Sequence, residues 1–520
     1  MNPADYTRTT AWIAWWSLAA FTALWVARWP AFPLVLDPYY HVFVAQQVVA
    51  AGGPIAYEWW EYAPVGRPHL YPPILHLLLA ALLKLGGSPA GVIRFASAAL
   101  LPALLVSVWL VMRRLFSSAA ALACLALAMM PWSFHLRSAS TMAATLGMIE
   151  LLWLLDALEH GRWLSAGLLL ALLCYTHLGL PWIAVVTIAC AALLRPRIRP
   201  SLAKAAWGLG LGIPWFWHLL ANRHLLHAVA RHENILVEFS PVLSAAALIG
   251  LWRCWRSGGR WLWLPACWLG VALLIPHHRY RWLCGEGLLP VILLAGVGLE
   301  AAVRWLADGL GRALSVVQQP EGRRISILVG AVALAGFVCA PTLAHSDAGW
   351  RWVWPDAAPW HLLGSGWAEP KETEASLDVP PVSHVAEQVL KESRPAEILW
   401  SNAPYALGLV AALARRPISN AMFPEVAPNR PFDPIRAAHL IVWFRFEPLK
   451  GDVTLAHLSR YRLTRVGEDE VAVIFRQADV TQQARHPEAV LPLWASLGLL
   501  AAALAGIVWD DARSPGLQVA

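Results

Sequence analysis

Apolar residues in this chain come in long blocks separated by short polar stretches, the pattern of a polypeptide whose solvent is a lipid bilayer. The blocks predict spanning helices over approximately 11–29, 93–112, 117–134, 138–158, 163–178, 180–194, 203–220, 241–252, 261–275, 283–303, 325–343 and 489–509, about twelve in all. The first follows a single Arg8 and lacks a small-x-small cleavage site, so it reads as a retained anchor and not a removed signal peptide. The block LYPPILHLLLAALLKLG, Leu70 to Gly86, is ambiguous. As a span it would put Arg113 and Arg114, Arg195 to Lys204, Arg253 to Arg260 and Arg304 to Arg324 all outside. As a helix that dips in and returns, it puts all four clusters on the N-terminal side. Basic residues beside spans favour the cytoplasm, and the Pro-Pro start and central His76 suit an interfacial element. The second reading is therefore preferred, with a cytoplasmic N-terminus in a multi-pass protein of the cell membrane.

Charged residues are 14% of the 520, against about 25% in soluble domains, which excludes an ordinary soluble protein. The 31 tryptophans suit the same solvent, because an indole settles at membrane–water interfaces. A formal charge of +7 would otherwise suggest a nucleic-acid partner. The basic residues fall in short clusters between apolar blocks, so they read as topology signals and no nucleic acid is expected. None of the seven cysteines lies in the long polar region, and they form neither a disulfide framework nor a CxxC metal site.

Three divisions follow: a transmembrane module over 1–343, whose first outer loop is 31–92; a domain over 344–488; and a final span with a cytoplasmic tail over 489–520. Composition shifts abruptly in the second, where Pro, Asp, Glu and Lys rise. It reads as helix (VAEQVLKES), strand (EILWS), helix (ALGLVAALARR), strand (HLIVWF), helix (LAHLSR) and a strand pair (YRLTRV, EVAVIF). Such alternation predicts a small extracytoplasmic α/β domain on an α-helical polytopic membrane protein.

The first outer loop opens with LDPYYHVFVAQQVVAAGG. Asp-Pro starts a helix well, the aspartate as cap and the proline in the first turn, and that role alone would account for Asp37. The same loop also carries Tyr39, Tyr40, His41, Glu58, Glu61, Arg67 and His69, and so many ionisable groups beside a bilayer point to a polar reaction site. Other outer positions add His135 and Arg137 in FHLRSAS; Arg223, His224, His227, Arg231, His232 and Glu233 at 221–236; and His277, His278, Arg279 and Arg281 in IPHHRYRW. A guanidinium fork matches phosphate oxygens, so Arg279 and Arg281 are candidates to hold an anionic lipid head group. Ordinary phospholipid would satisfy any one of these arginines. Glu150 falls near the middle of the fourth span, where an ionised acid is costly, too far from the outer surface for catalysis. His177 and His218 read as core or interface histidines. No HExxH, GxSxG or P-loop is present.

The order of these parts resembles the GT-C superfamily of membrane glycosyltransferases, and within it the oligosaccharyltransferase catalytic subunit and other polyprenyl-phosphate-sugar-dependent transferases. The resemblance is carried by the acid in LDPYYH (Asp37), by GRPHLYPPILHLLLA and by PWSFHLRSAS. RYRWLCGEGLLPVILLAGVGLE looks like the late span that follows an arginine in these enzymes. ILWSNAPYALG, Trp400 to Gly408, falls where that family has its tryptophan-rich acceptor motif, although the WWDYG form is not intact. After Arg137 the run RSASTMAATLG lacks the second acidic pair that helps hold a divalent metal in that pattern.

What the resemblance implies is inverting transfer of a sugar from a polyprenyl-phosphate-linked donor to an acceptor glycan, lipid or protein, on the outer side of the bilayer. Asp37 would be the general base. His41, Glu58, Glu61, Arg67, His69, Arg137, His277, His278, Arg279, Arg281 and Tyr405 would contact substrate, and a divalent cation, Mg2+ or Mn2+, would use Asp37 as a ligand. Two other readings stay open. A transporter or flippase of a lipid-linked saccharide would show paired ionisable residues at mid-membrane and two similar halves. A catalytically silent scaffold of the same fold would account for the missing second acid.

Overall fold

The computed structural model describes residues 3–28, 37–140, 142–194, 203, 206–226, 237–257, 285–313, 341–346, 349–354, 379–422, 426–428, 430–445, 455–490, 498, 502 and 505. In chain order the described α-helices are α1 (Pro3–Val26), α2 (Asp37–Ala51), α3 (Ile74–Lys84), α4 (Pro89–Leu115), α5 (Ser118–Ala128), α6 (Trp132–Ser140), α7 (Met142–Glu159), α8 (Trp163–Cys174), α9 (Leu180–Leu194), α10 (Trp207–Ala221), α11 (Pro241–Arg256), α12 (Leu288–Ala313), α13 (Val379–Glu392), α14 (Pro404–Ala414) and the single turn α15 (Leu455–Leu458). The strands are β1 (Tyr57–Glu58), β2 (Arg67–Pro68), β3 (Val237–Phe239), β4 (Thr342–Ser346), β5 (Gly349–Val353), β6 (Leu399–Ser401), β7 (Leu440–Phe444), β8 (Leu463–Glu468) and β9 (Ala472–Gln477). The expected span at 261–275, most of those at 325–343 and 489–509, and the loop residues His227, Arg231, His232 and Glu233 lie outside the described residues.

Local chemistry sets several helix starts. The Ser88 hydroxyl accepts from the Gly91 N–H at 3.1 Å with Pro89 in the first turn of α4, and Ser240 accepts from the Leu243 N–H at 3.2 Å with Pro241 in the first turn of α11. Both helices end on arginines, Arg113 and Arg114 in α4, Arg253 and Arg256 in α11, which complement the negative end of a helix dipole.

Among the described residues, three helical stretches are long and apolar enough to cross a bilayer: Thr7–Val26, Pro89–Leu115 and Leu288–Leu306. A fourth arises if α6 and α7, which meet at 105°, are one broken span. The blocks expected at 117–134 and 163–178 form helices of only 11 and 12 residues, well short of the roughly 20 residues a span needs. The ambiguous block Leu70 to Gly86 gives α3, also 11 residues, which begins directly after the Pro72-Pro73 pair. At about 1.5 Å per residue it is half the length of a crossing helix.

The helices pack around one apolar core that includes Trp25, Leu105, Trp109, Leu155, Leu173, Ile292 and Val297. α11 and α12 run parallel in close contact, since Trp252 meets Trp305 with ring centroids 5.2 Å apart. A Cβ on Gly250 would fall 1.9 Å from the Leu294 carbonyl, and one on Gly298 would fall 1.9 Å from the Ala246 carbonyl. Only glycine permits that approach, as in other small-residue helix crossings. Gly298→Leu is therefore expected to lower the melting point in detergent, through an overpacking cost of about 1–3 kcal/mol. A thiol-reactive dye checks this, because Cys124 and Cys254 are buried beside the crossing and are exposed only on unfolding. An unchanged melt would mean that the crossing is not as tight as described.

Basic ends of the bundle helices are paired with buried acids. Arg114 lies 3.3 Å from Asp156, which Arg162 also contacts, and Glu300 is contacted by Arg253 and Arg304. The opposite end of the bundle meets the first loop. The Ile74 N–H donates to the Tyr175 carbonyl at 3.0 Å, and His218 Nε2 donates to the His69 carbonyl at 3.0 Å.

Near the C-terminus a mixed sheet has strand order β6-β7-β9-β8, with β6 parallel to β7 and the other pairs antiparallel. Helices α13 and α14 pack beside it, and α14 follows β6 directly. Its apolar residues belong to one buried cluster with those of α2 and α3, so Tyr39, Phe43 and Leu75 pack together with Val385, Leu407, Val410 and Phe444. Polar bonds close the same joint: Gln46 Nε2 donates to the Ala412 carbonyl at 2.6 Å, the Ile418 N–H to the Trp60 carbonyl at 2.7 Å, and the Ala63 N–H to the Ile418 carbonyl at 2.9 Å. The first loop and the C-terminal sheet thus make one continuous body.

Candidate active site

Asp37 is the first residue of α2 and is half-buried. A carboxylate there meets the positive end of the helix dipole. His41 follows at i+4, so the two occupy one side of the helix a turn apart. From Tyr39 to Val48 the helix is buried throughout, although it carries two tyrosines, a histidine and two glutamines. So polar a buried segment needs partners, and the loop after it supplies them.

The hairpin β1–β2 sets Glu58 directly opposite Arg67, a cross-strand position suited to an ion pair. Gly66 makes this turn possible. Its φ is +71°, and a Cβ would lie 2.5 Å from the Tyr57 ring and 2.8 Å from the Glu58 carbonyl. Arg67 is completely enclosed. Its Nε donates to Glu61 Oε2 at 2.6 Å, and its Nη2 lies 3.1 Å from Glu58 Oε1 and 3.2 Å from the Tyr40 hydroxyl. Glu58 Oε1 also accepts from the Tyr40 hydroxyl at 3.0 Å and from His69 Nδ1 at 2.7 Å. The other oxygen of Glu61 accepts the Met422 N–H, which ties the network to the C-terminal body.

Burial is the largest influence on Glu58 and opposes its ionisation, but Arg67, His69 and Tyr40 together outweigh it and hold the carboxyl below its ordinary range. Burial likewise opposes charge on Arg67, yet Glu58 and Glu61 hold its pKa above the usual guanidinium value. Tyr40 is pushed well up, by burial first and by Glu58 second, so it stays a phenol. The arrangement is a fixed guanidinium between two fixed carboxylates.

A histidine array lies beside it. His41 Nδ1 and His76 Nε2 are 2.9 Å apart, His76 and His69 have ring centroids 5.0 Å apart, and Tyr71 packs edge-on to His41 at 5.0 Å. His76 Nδ1, His69 Nε2 and Glu58 Oε2 are buried with no hydrogen-bond partner among the described residues. His177 also influences His41 electrostatically; its Nδ1 accepts the Gly179 and Leu180 N–H groups at the head of α9, and its Nε2 lies 3.8 Å from the buried Glu286. Glu286 stands five residues after Arg281 and two before α12. The end of the RYRWLCGEG segment is thereby brought to the array that α2 starts.

Burial, with His69 second, pushes His41 down to about 3, and His76 also lies well below its ordinary value. An unfolded histidine titrates near 6.5. Between those values the unfolded chain binds more protons than the folded one, so stability falls as pH is lowered from about 6.5 towards 3. Glu58 acts in the same direction lower down: its stabilisation is present above the ordinary carboxylate value and is lost as pH drops through its depressed one. The expected result is a lower melting temperature at pH 5 than at pH 7.5, with a shallower dependence in His41→Gln. Equal slopes for the two proteins would show that His41 is not the buried neutral group described.

Between this loop and the C-terminal body is a cavity of about 450 Å³ lined by Tyr62, Pro404, Ser419, Asn420, Phe432 and Pro434, among others. Tyr62 holds a left-handed φ of 51°, a conformation that costs a non-glycine residue of order 1–3 kcal/mol and gathers at functional sites.

No family model and no curated protein sequence matches the chain. Solved structures do. ArnT from Cupriavidus metallidurans, in the apo state, is similar over 90% of this chain and 98% of its own, at 14% identity and a TM-score of 0.52. The apo oligosaccharyltransferase of Archaeoglobus fulgidus is similar over 78% of this chain at 12% identity and a TM-score of 0.52. The same archaeal enzyme, AglB, in complex with an inhibitory peptide and a dolichol-phosphate, is similar over 84% at 11% identity and a TM-score of 0.51. Both proteins are GT-C glycosyltransferases. The chain has a GT-C-type fold. It spans 64% of the length of the apo oligosaccharyltransferase.

Within the GT-C-type fold the site residues expected from sequence distribute unevenly. His41, Glu58, Glu61, Arg67 and His69 come together as one network, with Asp37 one turn from His41. Arg137 is half-buried on α6, where His135 packs on Phe21 and Trp25 and donates to the Ala128 carbonyl. Tyr405 follows the cavity residue Pro404 at the head of α14. His277, His278, Arg279 and Arg281 lie outside the described residues. Three members of the array, His76, His177 and Glu286, were not among the expected site residues. The signal for them was a buried histidine or acid at the break before an apolar helix, which a core residue shares. Among the described residues no three His, Cys, Asp or Glu side chains converge to hold a metal ion. Glu58 and Glu61 are engaged by Arg67, and Asp37 is the one acid α2 contributes, so these residues do not fit the Mg2+ or Mn2+ site expected from the resemblance.

Proposed function

We propose that this protein is an inverting membrane glycosyltransferase that moves a sugar from a polyprenyl-phosphate-linked donor to an acceptor glycan, lipid or protein on the outer side of the cell membrane. The observation that carries the reading is the convergence at one end of the bundle. The first turn of α2 with Asp37, the His41 array and Glu286, which follows Arg281 by five residues in sequence, meet there, on a GT-C-type fold. Arginines cluster at the other ends of α4, α11 and α12, which supports a cytoplasmic position for that face and an outer one for the site. In this topology the chain crosses about twelve times, with a cytoplasmic N-terminus and tail. Of the domain expected over 344–488, the part from α13 onward is an extracytoplasmic α/β unit seated on the loop at 31–92, while β4 and β5 pair with β3 in a separate sheet.

A donor anchored in lipid presents its anomeric carbon at the interface. Asp37 takes the proton of the attacking acceptor as the bond to the carrier phosphate breaks, so the sugar inverts. Arg279 and Arg281 receive the departing phosphate, where charge develops and electrostatic stabilisation is most effective. Arg67 has a different role from the one the resemblance implied: both carboxylates already occupy its fork, so it builds the floor of the site. The cavity by Tyr62 and Asn420, next to the segment Trp400 to Gly408, is the acceptor side. AglB holds a dolichol-phosphate and a peptide on a similar fold, which supports both partners. Glu150, the mid-span acid, accepts a hydrogen bond from Thr176 at 2.8 Å, and no described feature favours transport.

The test is purified protein in nanodiscs with a set of polyprenyl-phosphate sugars and candidate acceptors. Release of free polyprenyl phosphate with formation of an inverted glycoside is expected for one donor. Movement of intact donor across the bilayer without bond cleavage would replace the enzyme with a flippase.

A further inference from the structure

The strand β5 and the residue after it read Gly-Trp-Arg-Trp-Val-Trp, and the three tryptophans lie outward: Trp350 is 57% exposed, Trp352 64% and Trp354 75%. Their spacing of two places them on one face of the strand, with Arg351 on the other. β5 is the outer strand of the three-stranded sheet β3-β4-β5. The register continues the apolar row inward, because Trp352 pairs with Leu343 and Leu343 with Phe239. Buried tryptophans elsewhere, such as Trp25, Trp109 and Trp215, are enclosed by protein. Three consecutive outward ones on a sheet edge call for another solvent.

Covalent connections identify that solvent. β3 ends one residue before Ser240, the cap of α11. α11 runs parallel to α12, so β3 leaves the bundle at the end where Glu286 precedes α12, the end of the candidate site. β4 starts at Thr342, directly after the apolar run Ile325 to Pro341. Two strands of the sheet are thus each joined directly to an apolar stretch of the sequence, which, resting on the topology proposed above, keeps the sheet within a few residues of the bilayer boundary. We infer that the Trp350–Trp352–Trp354 face of this sheet lies in the head-group and glycerol zone of the outer leaflet and binds phospholipid there. Indole rings favour that zone because their bodies are apolar and their N–H groups need a polar partner. The sheet then braces the rim of the site against the membrane surface.

The probe is a diazirine-bearing phosphatidylcholine, reactive near the glycerol, in nanodiscs holding the full chain, with adducts mapped by peptide mass spectrometry. Adducts are expected on the Gly349–Trp354 peptide. They should fall to background in the Trp350→Ser, Trp352→Ser, Trp354→Ser triple variant while α12 stays labelled. Labelling of α12 without labelling of this peptide overturns the inference, as does a protein–protein cross-link between two copies through it. Hydrogen exchange on the wild-type chain decides the matter if the triple variant does not fold. β5 amides should exchange more slowly in nanodiscs than in mild detergent, and equal rates overturn the inference.

Discussion

Asp37→Asn should reduce sugar transfer by about 10²–10⁴, the usual worth of a positioned general base, with the melting temperature unchanged. The substitution separates two roles that the sequence superimposes. Asparagine starts a helix about as well as aspartate, whereas alanine forfeits about 1 kcal/mol at such a position. A purely structural Asp37 would leave Asn silent and make Ala mildly destabilising. A base makes both inactive, while only Ala alters stability. Donor binding, measured by tryptophan quenching or thermal shift with a non-transferable lipid phosphate, should survive in Asp37→Asn because the phosphate is assigned to other groups. Retained turnover in Asp37→Asn would remove Asp37 from the chemistry, and loss of folding would reduce it to a structural residue.

Arg67→Met is expected to be the most destabilising single change in the first loop. The side chain is 1% exposed and faces two carboxylates that are fully buried. Removing one partner of a buried charge network leaves the others uncompensated, at a cost of about 3–5 kcal/mol. Two acids would then share an enclosed space without the guanidinium that now bridges them, although Tyr40, His69 and the Met422 N–H would still donate to them. Arg67→Lys keeps the charge but loses the planar fork that reaches Glu61 through Nε and Glu58 through Nη2, so it should lie between wild type and Met. Combining Arg67→Met with Glu61→Gln should recover part of the loss, which a simple packing defect would not do. Melting in detergent, together with protease cleavage between Gly52 and Leu70, reads the effect. A wild-type melt for Arg67→Met would mean that the loop is not closed over this network.

Legibility in the sequence followed the strength of the local signal. The apolar blocks at 93–112, 180–194, 241–252 and 283–303 reappear as helices and the strand readings EILWS, HLIVWF, YRLTRV and EVAVIF as β6, β7, β8 and β9, whereas those at 117–134 and 163–178 give shorter helices. The cluster in the first loop was legible as well, because polar residues beside apolar helices have few bland explanations. Its internal logic was not. Glu58, Glu61, Arg67 and His69 read from sequence as separate substrate contacts, whereas their mutual bonding follows from a cross-strand register that sets Glu58 opposite Arg67, and that register depends on a glycine with positive φ at position 66. Nor did sequence reveal that the loop and the C-terminal body share a core. That contact joins residues more than 350 positions apart, as Gln46 with Ala412 and Glu61 with Met422, and periodicity is blind to such distances. Glu286 was missed for a similar reason: an acid before an apolar helix is a common start signal, and only His177, more than a hundred residues earlier, gives it a second meaning.

The whole reading depends on Asp37 and the arginines of the late loop facing one lipid phosphate. An experimental structure with a bound polyprenyl phosphate tests it most directly. Density for the phosphate is expected against Arg279 and Arg281, with the Asp37 carboxylate on the side where the sugar's anomeric carbon would sit. A phosphate bound away from α2, or Asp37 opening towards the end that carries Arg114 and Arg253, would contradict it.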